Sequence, residues 1–75
     1  MEKKEYNKKV AKNLKQTMKA KGIKPIELAF YSGVSVSTIY YYLAGHSYTI
    51  HSAYKIARAL DVSLDAVFNV DYKKT

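Results

Sequence analysis

One segment limits what this chain can become: the run from Ile26 to Gly45, Ile-Glu-Leu-Ala-Phe-Tyr-Ser-Gly-Val-Ser-Val-Ser-Thr-Ile-Tyr-Tyr-Tyr-Leu-Ala-Gly. It reads as two short helices hinged at Gly33. The first carries the small residue Ala29 on its inner side, and the second begins after the cap-forming Ser35. Helices that cross steeply approach closely only where a small side chain admits them, and the tight turn between them needs a residue that tolerates positive φ. Leu28, Val34, Ile39 and Tyr42 are spaced to close the wedge from inside. The segment predicts a helix-turn-helix. It also carries an oddity, since no formally charged residue occurs from Leu28 to Tyr54.

The charge lies elsewhere. Residues 1–24 hold nine lysines against Glu2 and Glu5, which accounts for the whole formal charge of +7, and the remaining residues balance to zero. A polyanion is the natural partner for such a field, against the plainer alternative of a solvated lysine face serving solubility. The 75 residues suffice for one small domain, which buries only about 60% of its unfolded surface. The absence of cysteine excludes disulfides and thiolate metal sites and suits a reducing compartment. No apolar run approaches the roughly 20 residues that span a bilayer. No signal-like apolar region follows the lysine-rich start, so a cytoplasmic location is expected.

Tyr6, Val10, Leu14 and Met18 recur at every fourth position beside Ala11, while Lys8, Lys12, Lys15 and Lys19 fall on the other face of the same wheel. This predicts a first helix from about Lys4 to Lys21, ended by Gly22. Pro25 suits the first turn of a second helix reaching Ser32. A third helix opens after Ser35 and stops at Ala44-Gly45. Thr49 can cap a fourth, in which Ile50, Ala53, Ala57 and Leu60 are expected to face the core. Ser63 would cap a short fifth helix, with Asp65 set favourably against its N-terminal dipole and Leu64, Val67 and Phe68 as its apolar face. The expected fold is all-α, a compact five-helix unit over residues 1–75. Residues 1–5 would form a basic N-terminal arm and residues 71–75 a flexible C-terminal tail.

These residues resemble a known family. Gly22-Ile23, Glu27-Leu28-Ala29, Ser32-Gly33-Val34-Ser35, Ser37-Thr38-Ile39, the Gly45 stop and Lys55-Ile56-Ala57-Arg58-Ala59-Leu60-Asp61-Val62 together are similar to the Cro and lambda-repressor-like (XRE-type) helix-turn-helix DNA-binding family. The resemblance runs from about Val10 to Phe68 and includes the spacing of all five helices. It implies a sequence-specific double-stranded DNA-binding transcriptional regulator of phage, plasmid or mobile-element type. Such a regulator would be a prokaryotic or phage-encoded repressor, commonly a dimer on a palindrome, reading the major groove with helix 3.

Carried over position by position, the resemblance places Val36, Ser37 and Tyr41 where base edges are reached. Ser35, Thr38 and Tyr40 fall at flanking positions that touch bases or phosphate. Helix 2 of many relatives begins with a phosphate-holding glutamine. Here Pro25 stands there, and Lys24 would substitute as a point charge. Where the family often has Lys or Arg after helix 3, this chain has His46 and Ser47. Many relatives pair an arginine of helix 1 with a glutamate of helix 3. Both matching positions, Met18 and Leu43, are apolar, so the pair is replaced as a unit, a change that is often neutral or stabilising.

Helix 3 would then read with hydroxyls (Ser37, Thr38, Tyr40, Tyr41) and with the methyl groups of Val36 and Thr38, the valine against a thymine methyl. The opening N–H groups of helices 2, 3 and 4 would face phosphates, reinforced by the hydroxyls of Ser47, Tyr48 and Thr49. Tyr42 is better read as core filler than as a reader. Tyr40 and Tyr41 are compatible with either DNA or a protein surface. His46 and His51 have no third ligand, so neither metal nor cofactor is expected, and no arrangement of nucleophile, base and orienting group suggests an enzyme. Leu64, Val67, Phe68 and Val70 are the expected homodimer seam. The competing function is a protein-interaction module on the same scaffold, an antitoxin or anti-regulator that presents the tyrosine-rich surface to a regulatory protein.

Overall fold

A computed structural model describes residues 3–68 of the chain. Five helices are present among them, with no strand: α1 (Lys3–Lys21), α2 (Pro25–Ser32), α3 (Val36–Leu43), α4 (Ile50–Ala59) and α5 (Leu64–Phe68). The first helix takes in residues 3–5, so this part of the expected arm is helical. The expected tail at 71–75 lies outside the described residues.

The helices share one core. Val10, Leu14 and Met18 of α1 meet Leu28 of α2, Val34 of the turn, Ile39 and Tyr42 of α3, Ala53, Ile56 and Leu60 at α4, and Val67 and Phe68 of α5. Seven large side chains of this set, Leu14, Leu28, Ile39, Ile56, Leu60, Val10 and Val67, are fully buried. Burying each contributes about 1.5–3 kcal/mol relative to leaving it in water. Met18 is buried, and Leu43 packs against the same core. The two positions, Met18 and Leu43, therefore both pack against the core.

Two expectations about the apolar faces are corrected by this packing. Ile50 is 67% exposed, and Ile56 fills the core position on α4 instead. At about 100° per residue, Ile56 and Ile50 lie on opposite edges of the stripe formed by Leu60, Ala53 and Ala57, and the core lies toward the Ile56 edge. Val67 and Phe68 are buried within the chain's own core and present almost no surface to a second copy. Val70, the last member of that expected seam, lies outside the described residues. Leu64 is half-buried against the core.

The helix ends follow a repeated hydrogen-bond pattern. At α1 the N–H of Ile23 donates to the Met18 carbonyl (2.9 Å) and that of Gly22 to Lys19 (3.1 Å). The same pair closes α3, from His46 to Tyr41 (3.3 Å) and from Gly45 to Tyr42 (3.0 Å). It closes α4 from Val62 to Ala57 (3.1 Å) and from Asp61 to Arg58 (3.0 Å). This arrangement satisfies carbonyls that the helix leaves without partners, and it needs a left-handed residue at the turn. Asp61 takes that conformation without being glycine (φ 58°), a place where aspartate is one of the more tolerant side chains.

Between α2 and α3 the turn is tighter. Gly33 has φ 75° and donates to the Ala29 carbonyl at 3.0 Å, after which the Val34 N–H donates to the Ser32 hydroxyl at 3.2 Å. A Cβ at Gly33 would meet nothing within 4 Å. The requirement for glycine is therefore one of backbone conformation and not of space. Gly33→Ala should lower stability by about 1 kcal/mol, read as a fall in Tm of roughly 4–8 °C for a domain of this size. Gly33→Asn should lose less, because asparagine visits the left-handed region more readily. Equal loss in the two variants would mean that contacts, not φ, decide this position.

Candidate nucleic-acid interface

Helix α3 has one inner and one outer side. Ile39 and Tyr42 are buried, whereas Val36, Ser37, Tyr40 and Tyr41 are exposed. On the helical wheel these four span an arc of about 140° at 100° per residue. The arc carries no charge, two phenols, one hydroxyl and one branched aliphatic group. Among the base-reading candidates the structure brings these four together. The fifth, Thr38, is half-buried beside them.

Thr38 has a local task. The Ser35 hydroxyl accepts the Thr38 N–H at 3.2 Å, and the two side-chain oxygens are hydrogen-bonded at 2.8 Å. Ser35 is thus the N-cap of α3 and satisfies one donor that the helix would otherwise leave open. A hydroxyl has one donor and two acceptor lone pairs, so either residue retains only part of its capacity for DNA. Thr49 caps α4 in the same way, with Oγ1 accepting from the Ser52 N–H at 3.3 Å.

The loop after α3 adds a contact that the sequence did not suggest. The His46 imidazole stacks on the Tyr41 ring, with centroids 4.4 Å apart and planes 20° from parallel. The Gly45 turn brings the two together across five positions of chain. Gly45 itself has φ 92°, and a Cβ there would stand 3.4 Å from Cγ of Lys8, so α1 passes close to the end of α3. His46 holds one face of Tyr41 and limits the orientations of the phenol. His46, Ser47 and Thr49 are all exposed in this loop.

Tyr48 departs from its expected role as a phosphate contact. Its hydroxyl reaches the Phe68 carbonyl at 2.9 Å and lies 2.9 Å from the Tyr6 hydroxyl, which is hydrogen-bonded to the same carbonyl. Its ring packs against Phe68, with centroids 4.8 Å apart. Two phenols converging on one carbonyl tie α1 and the α3–α4 loop to the end of α5. A carbonyl has two lone pairs and can accept both. Tyr48 therefore fastens the fold and is not turned toward a phosphate.

The start of α2 also differs from expectation. The Lys24 N–H donates to Oε1 of Glu27 at 2.8 Å, with Pro25 at the first helical position. The carboxylate already occupies the positive end of the helix dipole. It makes this end a poorer phosphate site than the uncharged openings of α3 and α4. Lys24 is exposed here, and its ammonium is the feature that remains attractive to an anion.

The lysine row of α1 reaches the end of α3. Lys8, Lys12 and Lys15 line a shallow groove of about 230 Å³ with Leu43, Ala44 and Gly45 at the end of α3. Lys15, Lys19 and Lys24 flank an adjoining one of about 270 Å³ that contains Met18 and Leu43. The positive field thus runs beside the end of α3 and continues to the start of α2. Among the described residues no group of three or more metal-ligating side chains is assembled, and no helix is long and apolar enough to cross a membrane.

A helix-turn-helix family model matches residues 14–67, a span that takes in the turn, its flanking helices and most of the core. The chain belongs to this family, the XRE or lambda-repressor-like helix-turn-helix regulators, and is a DNA-binding protein of transcription regulation. Neither the curated proteins nor the solved structures contain a significant match to it.

The inward role of Tyr48 has a direct test. Tyr48→Phe removes the half-buried hydroxyl shared by the Phe68 carbonyl and the Tyr6 hydroxyl and should lower unfolding stability by about 1 kcal/mol, with DNA affinity at fixed salt unchanged. A loss of affinity without a loss of stability would return Tyr48 to the phosphate surface.

Proposed function

We propose that the chain is a sequence-specific regulator that lays the outer arc of α3 in the major groove of duplex DNA and acts as a repressor of phage, plasmid or mobile-element type. The observation that carries this reading is the uncharged arc Val36, Ser37, Tyr40 and Tyr41 set beside a row of lysines on α1. Base-edge contacts give discrimination and phosphate contacts give affinity, and here the two come from different helices. Val36 packs on a thymine methyl. Ser37 and the two phenols donate or accept at base edges. Lys24, His46, Ser47 and Thr49 hold the backbone on either side, with Ser35 contributing what its cap leaves over.

Hydroxyls can serve as donor or acceptor, so the arc discriminates less sharply than one bearing arginine or asparagine. DNA shape and a second copy on a symmetric site would supply the rest. With Val67 and Phe68 in the core, Leu64 is the described residue of the expected seam that retains some exposure. Pairing of two copies would have to build on it and on surface outside α5. Repression follows from occupancy, since a protein seated on a promoter excludes the transcription machinery.

Salt dependence and one substitution test the reading. If roughly four to six phosphates are neutralised per protomer, log K should fall with log salt at a slope of about −3.5 to −5.5. Tyr41→Ala should weaken binding to a preferred site roughly five- to hundredfold, the range of one lost base-pair contact, and leave binding to random duplex nearly unchanged. Flat salt dependence would contradict the phosphate assignment. Unaltered DNA binding combined with loss of a protein partner would favour the antitoxin or anti-regulator reading of the same tyrosines.

A further inference from the structure

A second exposed surface lies off the reading arc. Tyr31 and Ser32 at the end of α2, with His51, Tyr54, Lys55 and Arg58 along α4, line an open groove of about 440 Å³ to which α3 contributes no residue. Tyr31 is 63% exposed and Tyr54 53%. Phe30, 83% exposed, stands edge-on to Tyr31 with centroids 5.6 Å apart. The Arg58 guanidinium lies over the Tyr54 ring at 5.9 Å, within the range of a cation–π contact. The groove thus combines aromatic faces with two cations, Lys55 and Arg58, and no carboxylate lines it.

We propose that this α2–α4 groove docks a segment of a partner protein that is rich in acidic residues and carries large apolar side chains. Exposed aromatic patches flanked by polar groups mark protein interaction sites, and tyrosine and arginine are the side chains that most often anchor them. Arg58 can take a partner carboxylate through two parallel hydrogen bonds. Lys55 supplies a second charge one turn away on the same helix. The apolar side chains of the segment cover Phe30, Tyr31 and Tyr54.

Charge chooses among the occupants. A second copy of this chain, paired by two-fold symmetry, would set the Lys55 and Arg58 patch against an identical one. Duplex DNA would find a denser positive field along α1, and its sugar–phosphate backbone gains nothing from Phe30. An acidic segment with aromatic or aliphatic side chains satisfies both halves of the surface. This inference does not depend on what α3 reads.

The test uses the full chain, labelled with ¹⁵N, and a short synthetic peptide in which Glu alternates with Leu and Trp. Two controls accompany it, one with every Glu replaced by Lys and one with every Leu and Trp replaced by Ser. The acidic–apolar peptide should shift the amide signals of Tyr31, Tyr54, Lys55 and Arg58 and leave those of Ser37 and Tyr41 in place. Neither control should bind. Tyr54→Ala and Arg58→Glu should each weaken binding roughly tenfold or more, and Tyr54→Ala should retain the affinity of the unsubstituted chain for duplex DNA. The proposal is overturned if the acidic–apolar peptide causes no shift, if its shifts fall on the lysines of α1, if the Ser-substituted control binds equally well, or if duplex DNA perturbs the groove in its place.

Discussion

The close approach of α2 to α3 across the left-handed turn at Gly33 is the constraint on which the rest of the structure depends. Leu28, Val34, Ile39 and Tyr42 fill the wedge between the two helices, and none of them can turn outward without opening it. Once Ile39 and Tyr42 face inward, the 3.6-residue period leaves Val36, Ser37, Tyr40 and Tyr41 facing out. The exposed arc is a consequence of the packing. The other helices hold this pair in place: α1 passes beneath the end of α3 at Gly45, and the phenols of Tyr6 and Tyr48 fasten the α3–α4 loop to the Phe68 carbonyl.

The division of labour between helices follows from where charge is absent. An α3 without charged residues cannot attract a polyanion by itself, so the long-range field must come from α1. The structure brings the two together at Leu43, Ala44 and Gly45, where Lys8, Lys12 and Lys15 border the end of α3. The stacked Tyr41–His46 pair stands at the same end. A phenol held on one face loses less freedom on binding than a free one, which reduces the entropic cost of using it.

Much of this was legible in the sequence because it is written in local signals. The glycine stops at 22, 33 and 45, the caps at Ser35 and Thr49, and Pro25 at a helix start mark boundaries within a few residues of chain. What escaped was long-range. A short apolar face such as Leu64, Val67 and Phe68 has the same pattern whether it covers its own core or a second copy, and here it covers the core. Tyr48 looks like a loop hydroxyl until Tyr6, 42 positions earlier, is found beside it. Ile50 matches a core stripe by spacing, yet it stands on the edge of that stripe opposite Ile56, and the core lies on the Ile56 side. Asp61 ends a helix in a conformation usually left to glycine, which composition alone does not reveal. The exposed Phe30 and Tyr31 were invisible for another reason, since hydrophobic side chains on a helix ordinarily imply a buried face.

On the proposed function, the outer arc of α3 reads sequence while the lysines of α1 supply attraction. Selection of bound sites from random duplex DNA, at low and at physiological salt, with the unsubstituted chain and with Val36→Ala in parallel, tests it most directly. A consensus should emerge that sharpens at the higher salt, where non-specific attraction is screened, and Val36→Ala should lose its preference at a thymine position while the rest of the motif persists. Recovery of no motif at either salt by a folded protein, or of the same motif by both chains, would contradict it.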